Sequence, residues 1–198
     1  SGLHFVQFGG ATMRWLYFGM GLASSAMIAT GLVLWVVKRR GRHTATDGVG
    51  YRLVEGFNVT AVAGLLVATA TFFWANRLLP ADLPAREIRE LQMFFTAWIL
   101  CLGHALLKIF FRYNPTWRIW TVQLSIAAIL FGLLPIVNAI TTESHLLQAL
   151  SQGQWEVAGF DLSFLVSGLG LALTARRLDQ SARASSRHWN THPVASGG

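Results

Sequence analysis

One histidine, His104, lies inside a long apolar segment of the chain, in the sequence ILCLGHALLKIF. If that segment is a helix that crosses a membrane, His104 lies about 13 residues, or roughly 20 Å, from its outer end. An ionisable side chain at that depth is costly to bury and is therefore a functional candidate. A neutral imidazole that faces a helix bundle can bind haem iron, and the neighbouring Gly103 leaves room for a macrocycle. The alternative is an imidazole that is hydrogen-bonded to a neighbouring helix.

The other five histidines are less informative. His4 precedes the first apolar segment and is predicted at the outer interface, whereas the remaining four lie in polar segments: His43, His145, His188 and His192. Two histidines on facing helices suit a low-spin electron-transfer haem, but only His104 is clearly inside a span. The second ligand of such a haem must therefore come from another segment of the protein, or there is no haem.

The composition is typical of a polytopic membrane protein. Of the 198 residues, 53% are apolar and 13% are charged, against about 25% charged residues in soluble domains. The mean hydropathy is +0.45. The net charge of +7 comes from basic residues that flank the apolar segments, where they act as topology signals next to anionic headgroups. We therefore predict a lipid bilayer, and no nucleic acid, as the partner of this chain.

The apolar segments predict an all-α fold, a bundle of about five membrane-spanning helices within residues 1–178. A helix needs about 20 apolar residues to cross the hydrocarbon core, and the fifth segment contains one charge, Asp161. Residues 179–198 are rich in Ser, Arg and His and are predicted to form a flexible cytoplasmic tail. The predicted spans are residues 15–37, 56–76, 91–111, 119–142 and 157–175.

The distribution of basic residues predicts the orientation of the bundle. One set of connections, together with the carboxyl-terminal segment, carries 12 Lys and Arg residues, and the connections on the other side carry 4. Because basic loops stay in the cytoplasm, the amino end is predicted outside and the carboxyl end inside. Five crossings satisfy that arrangement.

The orientation can be tested with a cysteine at position 43, which lies in the first basic connection. In a His43→Cys variant that also carries Cys101→Ala, we expect a membrane-impermeant maleimide to react only after the cells are permeabilised. An Asp82→Cys variant in the same background is the control and should react in intact spheroplasts. Labelling of position 43 in intact spheroplasts would contradict the predicted orientation.

Three stretches of the sequence resemble the PepSY-associated transmembrane (PepSY-TM) proteins of proteobacteria. The first is LHFVQFGGATMRWLYFGMGLASSAMIATGLVLWVVKRR, in which an HF-x-x-FGG start, a helix and a KRR end follow one another. The second is YRLVEGFNVTAVAGLLVATATFFWANRLLP and the third is FFTAWILCLGHALLK. They occur in the same order as in that family. The resemblance covers residues 3 to about 140 and is loose beyond them.

This resemblance implies the carboxyl-terminal membrane portion of a bacterial inner-membrane protein linked to iron and siderophore metabolism. It also implies, as partners elsewhere in the same protein, amino-terminal helices and a periplasmic PepSY domain. Some members of the family resemble haem-containing siderophore reductases. By that resemblance His4 and His104 match positions of haem ligands, haem b is the cofactor, and a ferric siderophore accepts the electrons.

Three functions stay open from the sequence. The first is an electron-transfer haem protein, a component of a transmembrane ferric-siderophore reductase. The second is a non-catalytic anchor or interaction module for the PepSY domain, and the third is a permease subunit for metal-chelate uptake. Deep charged residues would favour the permease, but the charged residues within the spans, Lys108 and Asp161, both lie near an end. The haem protein is therefore the favoured hypothesis.

Overall fold

The computed structural model describes residues 10–40, 48–111, 116–141 and 155–191. Every regular element in these ranges is helical, which confirms the all-α fold predicted from the sequence. The elements are α1 (Gly10–Arg40), α2 (Gly48–Val59), a π-helical turn (Thr60–Gly64), α3 (Leu65–Leu78), α4 (Arg86–Phe110), α5 (Thr116–Thr141) and α6 (Trp155–Thr191).

Four helical segments in the described part of the chain are long and apolar enough to cross a membrane. They overlap the first four predicted spans. The fifth predicted span, residues 157–175, lies within α6, and its crossing stays a prediction, as does the orientation of the bundle. The four segments are Leu16–Trp35, Leu53–Leu78, Arg86–Phe110 and Thr116–Thr141.

The chain divides into two compact units, Ser1–Asn58 and Val59–Gly198. In the first unit, the Asn58 side-chain amide donates a hydrogen bond of 2.9 Å to the carbonyl oxygen of Leu32, which ties α2 to α1. Large apolar side chains of α1 are widely exposed, among them Met27 with 75% of its surface accessible. Such exposure is expected where lipid rather than water surrounds a helix.

In the second unit, α3 lies against α4 and α5, and α5 packs along α6. Much of this core consists of alanine, because small side chains let helix backbones approach closely inside a membrane. Larger side chains fill the remaining space. The buried core includes Val59, Ala63, Val67, Ala70, Cys101, Ala105, Ile109, Ile119, Leu124, Ala127, Phe131, Leu134 and Ala175.

The carboxyl-terminal segment departs from its prediction. The segment predicted from residue 179 onward as a flexible tail is helical as far as Thr191, because α6 continues to that residue. Arg183 Nε lies 2.8 Å from Asp179 Oδ2, one helical turn away, in an i,i+4 ion pair that supports the helix. Alanine and arginine also have high helix propensity, which a prediction from overall polarity overlooks. Residues 192–198 lie outside the described part of the chain.

Candidate functional site

The predicted ligand His104 lies in α4, at the edge of the face that this helix buries. The buried side chains of α4 are Glu90, Cys101, Ala105 and Ile109. His104 precedes Ala105 and lies one helical turn after Cys101, so it flanks that face rather than occupying its centre. Its side chain is accordingly partly buried.

The surroundings of His104 leave its imidazole nitrogens without a hydrogen-bond partner among the described residues and leave free space beside its backbone. A Cβ atom built at Gly103 would meet no atom within 4 Å, so there is open space beside the histidine. Within the described ranges, no hydrogen bond of the His104 side chain is formed. Lys108 is one turn further along the same helix, at the end where the chain leaves the apolar segment.

The second predicted ligand, His4, lies outside the described residues, as do His43, His145 and His192. His188 is near the end of α6. Over the residues that the structure covers, no group of three or more His, Cys, Asp or Glu side chains could hold a metal ion. A bis-histidine haem takes two imidazole ligands, and of the predicted pair only His104 lies within the described residues.

A polar layer is formed around the π-helical turn Thr60–Gly64, which lies between α2 and α3. It includes Trp98 of α4 and, on the turn of α4 before His104, the carbonyl oxygen of Cys101. The Thr60 carbonyl oxygen accepts the backbone N–H of Leu65 and also the indole N–H of Trp98, at 3.1 Å. The wide π-helical turn thus receives a side-chain donor from α4. Single π-helical turns inside α-helices are frequent at functional sites.

Gln123 of α5 completes this layer. Its side chain is only 1% exposed, and Nε2 donates a hydrogen bond of 2.9 Å to the carbonyl oxygen of Cys101. Its Oε1 atom is buried with no hydrogen-bond partner. A Cβ atom at Gly64 would lie 3.3 Å from this oxygen and 3.0 Å from Cys101 Cβ. Gly64 therefore lets the π-helical turn approach α4 and α5 closely.

This layer was not among the features predicted from the sequence. The available signal was weak: Thr60 and Gln123 are polar residues in otherwise apolar segments. Mean hydropathy over a segment barely changes with one polar residue, so it does not indicate that such a residue has a specific partner. Which backbone group each of them meets depends on contacts between residues far apart in the chain.

A second polar pair joins α5 to α6. Asp161 is 0% exposed and Asn138 is 5% exposed. Asn138 Nδ2 donates a hydrogen bond of 2.8 Å to Asp161 Oδ1, while Asp161 Oδ2 is buried with no hydrogen-bond partner. The one charge noticed in the fifth apolar segment is thus enclosed at a helix contact.

These helices define a multi-pass membrane protein. Residues 1–38 match the family described as the PepSY-associated TM region, which confirms for that segment the resemblance found in the sequence. The chain is also similar to the uncharacterized protein PA4219 of Pseudomonas aeruginosa, with 29% identity over 201 residues. That alignment covers 98% of the chain and 45% of the relative, so the chain spans less than half the relative's length. No solved structure matches the chain.

Proposed function

We propose that this chain is the electron-transferring membrane portion of a PepSY-associated protein, with His104 as an axial ligand of a b-type haem. The observation that carries the proposal is the state of His104. Its imidazole is partly buried in an apolar helix, makes no hydrogen bond within the described residues, and has open space beside Gly103. An intramembrane ionisable side chain without a structural partner is a functional candidate.

The residues of the chain would each have a limited task in such a site. His104 would present a neutral imidazole nitrogen to the iron, and Gly103 would leave the space next to it free. When bound, the haem supplies one-electron transfer, with a potential that its ligands and surroundings adjust. The second ligand would be His4 or a residue outside these 198.

We further propose that the electrons reach a ferric siderophore on the outer face of a bacterial inner membrane. The resemblance to siderophore reductases supports this acceptor, and the match to a PepSY-associated region supports a PepSY domain as the partner in the same protein. Reduction lowers the affinity of the siderophore's oxygen ligands for the iron, because Fe²⁺ has a lower charge than Fe³⁺. Such an activity would release iron from the chelate.

The test is a reduced-minus-oxidised absorption spectrum of the full-length protein and of its His104→Ala variant. We expect the variant, at normal expression, to lose the haem that His104 binds. That loss is all of the haem absorbance if the protein holds one haem and about half of it if the protein holds two. Exogenous imidazole should restore part of the signal by filling the space left by the missing ligand. A spectrum that His104→Ala leaves unchanged would remove His104 from the site.

A triple variant provides the matched control. Replacing His145, His188 and His192 together by alanine should leave the haem spectrum unchanged, because these histidines lie in polar stretches of the sequence. The measurement is the haem-to-protein ratio of the purified variant. A loss of haem in the triple variant would place a ligand in one of these segments instead.

A membrane anchor for a PepSY domain is the second candidate function. The length of the relative favours it. The alignment spans 45% of that protein, so about 55% of it has no counterpart in this chain. That length is enough for a domain outside the membrane. A wild-type full-length protein that purifies without haem would favour the anchor over the electron-transfer protein.

A further inference from the structure

The pair formed by Asp161 and Asn138 is unusual for a helix contact in a membrane protein. A buried carboxylate normally has its oxygens satisfied by several donors or by a cation. Here Oδ1 accepts one hydrogen bond, from Asn138 Nδ2 at 2.8 Å. Oδ2 has no partner although the whole side chain is 0% exposed. One oxygen atom of a buried acidic side chain therefore has no donor or cation to compensate for the loss of water.

A cation at Oδ2 would account for it, and the surroundings restrict which cation it can be. Metal cations that prefer oxygen take about six or more oxygen ligands. In the described part of the chain no cluster of three acidic, histidine or cysteine side chains exists. The backbone carbonyls of α5 and α6 are engaged in helical hydrogen bonds, except that Pro135 offers no N–H to the carbonyl oxygen of Phe131. One such carbonyl and one carboxylate fall short of about six ligands. A proton needs a single oxygen atom.

We propose that Asp161 and Asn138 form a proton-binding site at the contact of α5 and α6. A proton from water at the membrane surface binds to Asp161 Oδ2 and converts the carboxylate into a carboxylic acid, with no other bond made or broken. Asn138 holds the carbonyl oxygen Oδ1 of that acid. Ionisable side chains inside membranes are functional candidates by default, and the function assigned to this pair is the binding of one proton. It does not depend on a haem.

Charged groups on the neighbouring helices do not offer Asp161 an ion pair in the described structure. On α6 the charged residues before and after Asp161 are Glu156, five positions earlier, and Arg176, 15 positions further on, or about 22 Å along the helix. On α5 the charged residue is Arg118, at the opposite end. Arg86 of α4 is engaged with Glu90, at 3.0 Å. The other charged residues of α3 and of the first turns of α4 are Arg77, Glu87 and Arg89. None of the ion pairs found among the described residues includes Asp161.

The experiment compares infrared spectra of the full-length wild-type protein and its Asp161→Asn variant in lipid nanodiscs. The asparagine is isosteric with a protonated aspartic acid, so the variant should fold. We expect a carbonyl stretching band of a protonated carboxylic acid that is present in the wild type, shifts in D₂O, and is lost in Asp161→Asn. Asp179→Asn, which removes a surface carboxylate of the same helix that pairs with Arg183, should keep the band.

Asn138→Leu separates proton binding from a merely structural role of the pair. The band should persist in this variant but move to higher frequency, because the carbonyl oxygen Oδ1 loses the hydrogen bond from Asn138. Identical spectra of wild type and Asp161→Asn would overturn the proposal. So would a wild-type unfolding midpoint that rises with sodium at constant ionic strength while that of Asp161→Asn does not, since a metal cation would then occupy the site.

Discussion

Replacing Gly168 by alanine is expected to destabilise the protein by roughly 3 kcal/mol, the upper part of the range for overpacking a well-packed contact. A Cβ atom at this position would lie 2.8 Å from the backbone nitrogen of Gly132 and 3.0 Å from the carbonyl oxygen of Ala128. Both are main-chain atoms of α5 and cannot rotate away. The two helices would have to separate, and dispersion contacts that small residues permit would be lost along the α5–α6 contact.

Gly170→Ala is the matched control for this prediction, because it adds the same methyl group to the same helix. A Cβ atom at Gly170 would meet no atom within 4 Å. Both substitutions gain helix propensity of up to about 1 kcal/mol, so the difference between them isolates the steric effect. Unfolding in mixed micelles with increasing SDS, followed by tryptophan fluorescence, measures both. Equal midpoints for the two variants would show that α5 and α6 do not approach closely at Gly168.

Replacing Phe131 by alanine is expected to cost about 2–3 kcal/mol, somewhat less than the 3–5 kcal/mol typical of buried phenylalanines in soluble proteins. Phe131 is 7% exposed, and its ring stacks on Phe164 of α6 with centroids 6.1 Å apart. Phe164 in turn meets Phe73 of α3, at 5.0 Å. The substitution therefore opens a cavity where three helices meet. The cost is reduced because lipid, unlike water, solvates an apolar side chain well when the helices separate.

Phe57→Ala serves as the control for this second prediction. Phe57 is 53% exposed in a segment long and apolar enough to cross a membrane, so its replacement removes a lipid-facing side chain and leaves no cavity. We expect a change within about 0.5 kcal/mol, as for surface substitutions generally. The same SDS titration applies. A Phe131→Ala midpoint as close to wild type as that of Phe57→Ala would contradict the packing of the α3, α5 and α6 contact.

The class of protein was predictable from local properties of the sequence. Segments of about 20 apolar residues bounded by charges must be helical in a bilayer, because each backbone polar group needs a partner within its own segment. The four segments that are long and apolar enough to cross a membrane were therefore predictable from hydropathy. Hydropathy also singled out His104 within the third segment, since an ionisable residue in an apolar run is visible without any knowledge of the fold.

The polar contacts inside the bundle were decided by the tertiary structure. Gln123 reaches the carbonyl oxygen of Cys101, 22 positions earlier in the chain, and Trp98 reaches that of Thr60, 38 positions earlier. Helical periodicity indicates which residues share a face but not which partner that face will meet. In the sequence Asp161 was a single charge that interrupted an apolar segment. Its complete burial against Asn138 follows from the close crossing of α5 and α6 at Gly168, a contact between two segments that no local pattern specifies.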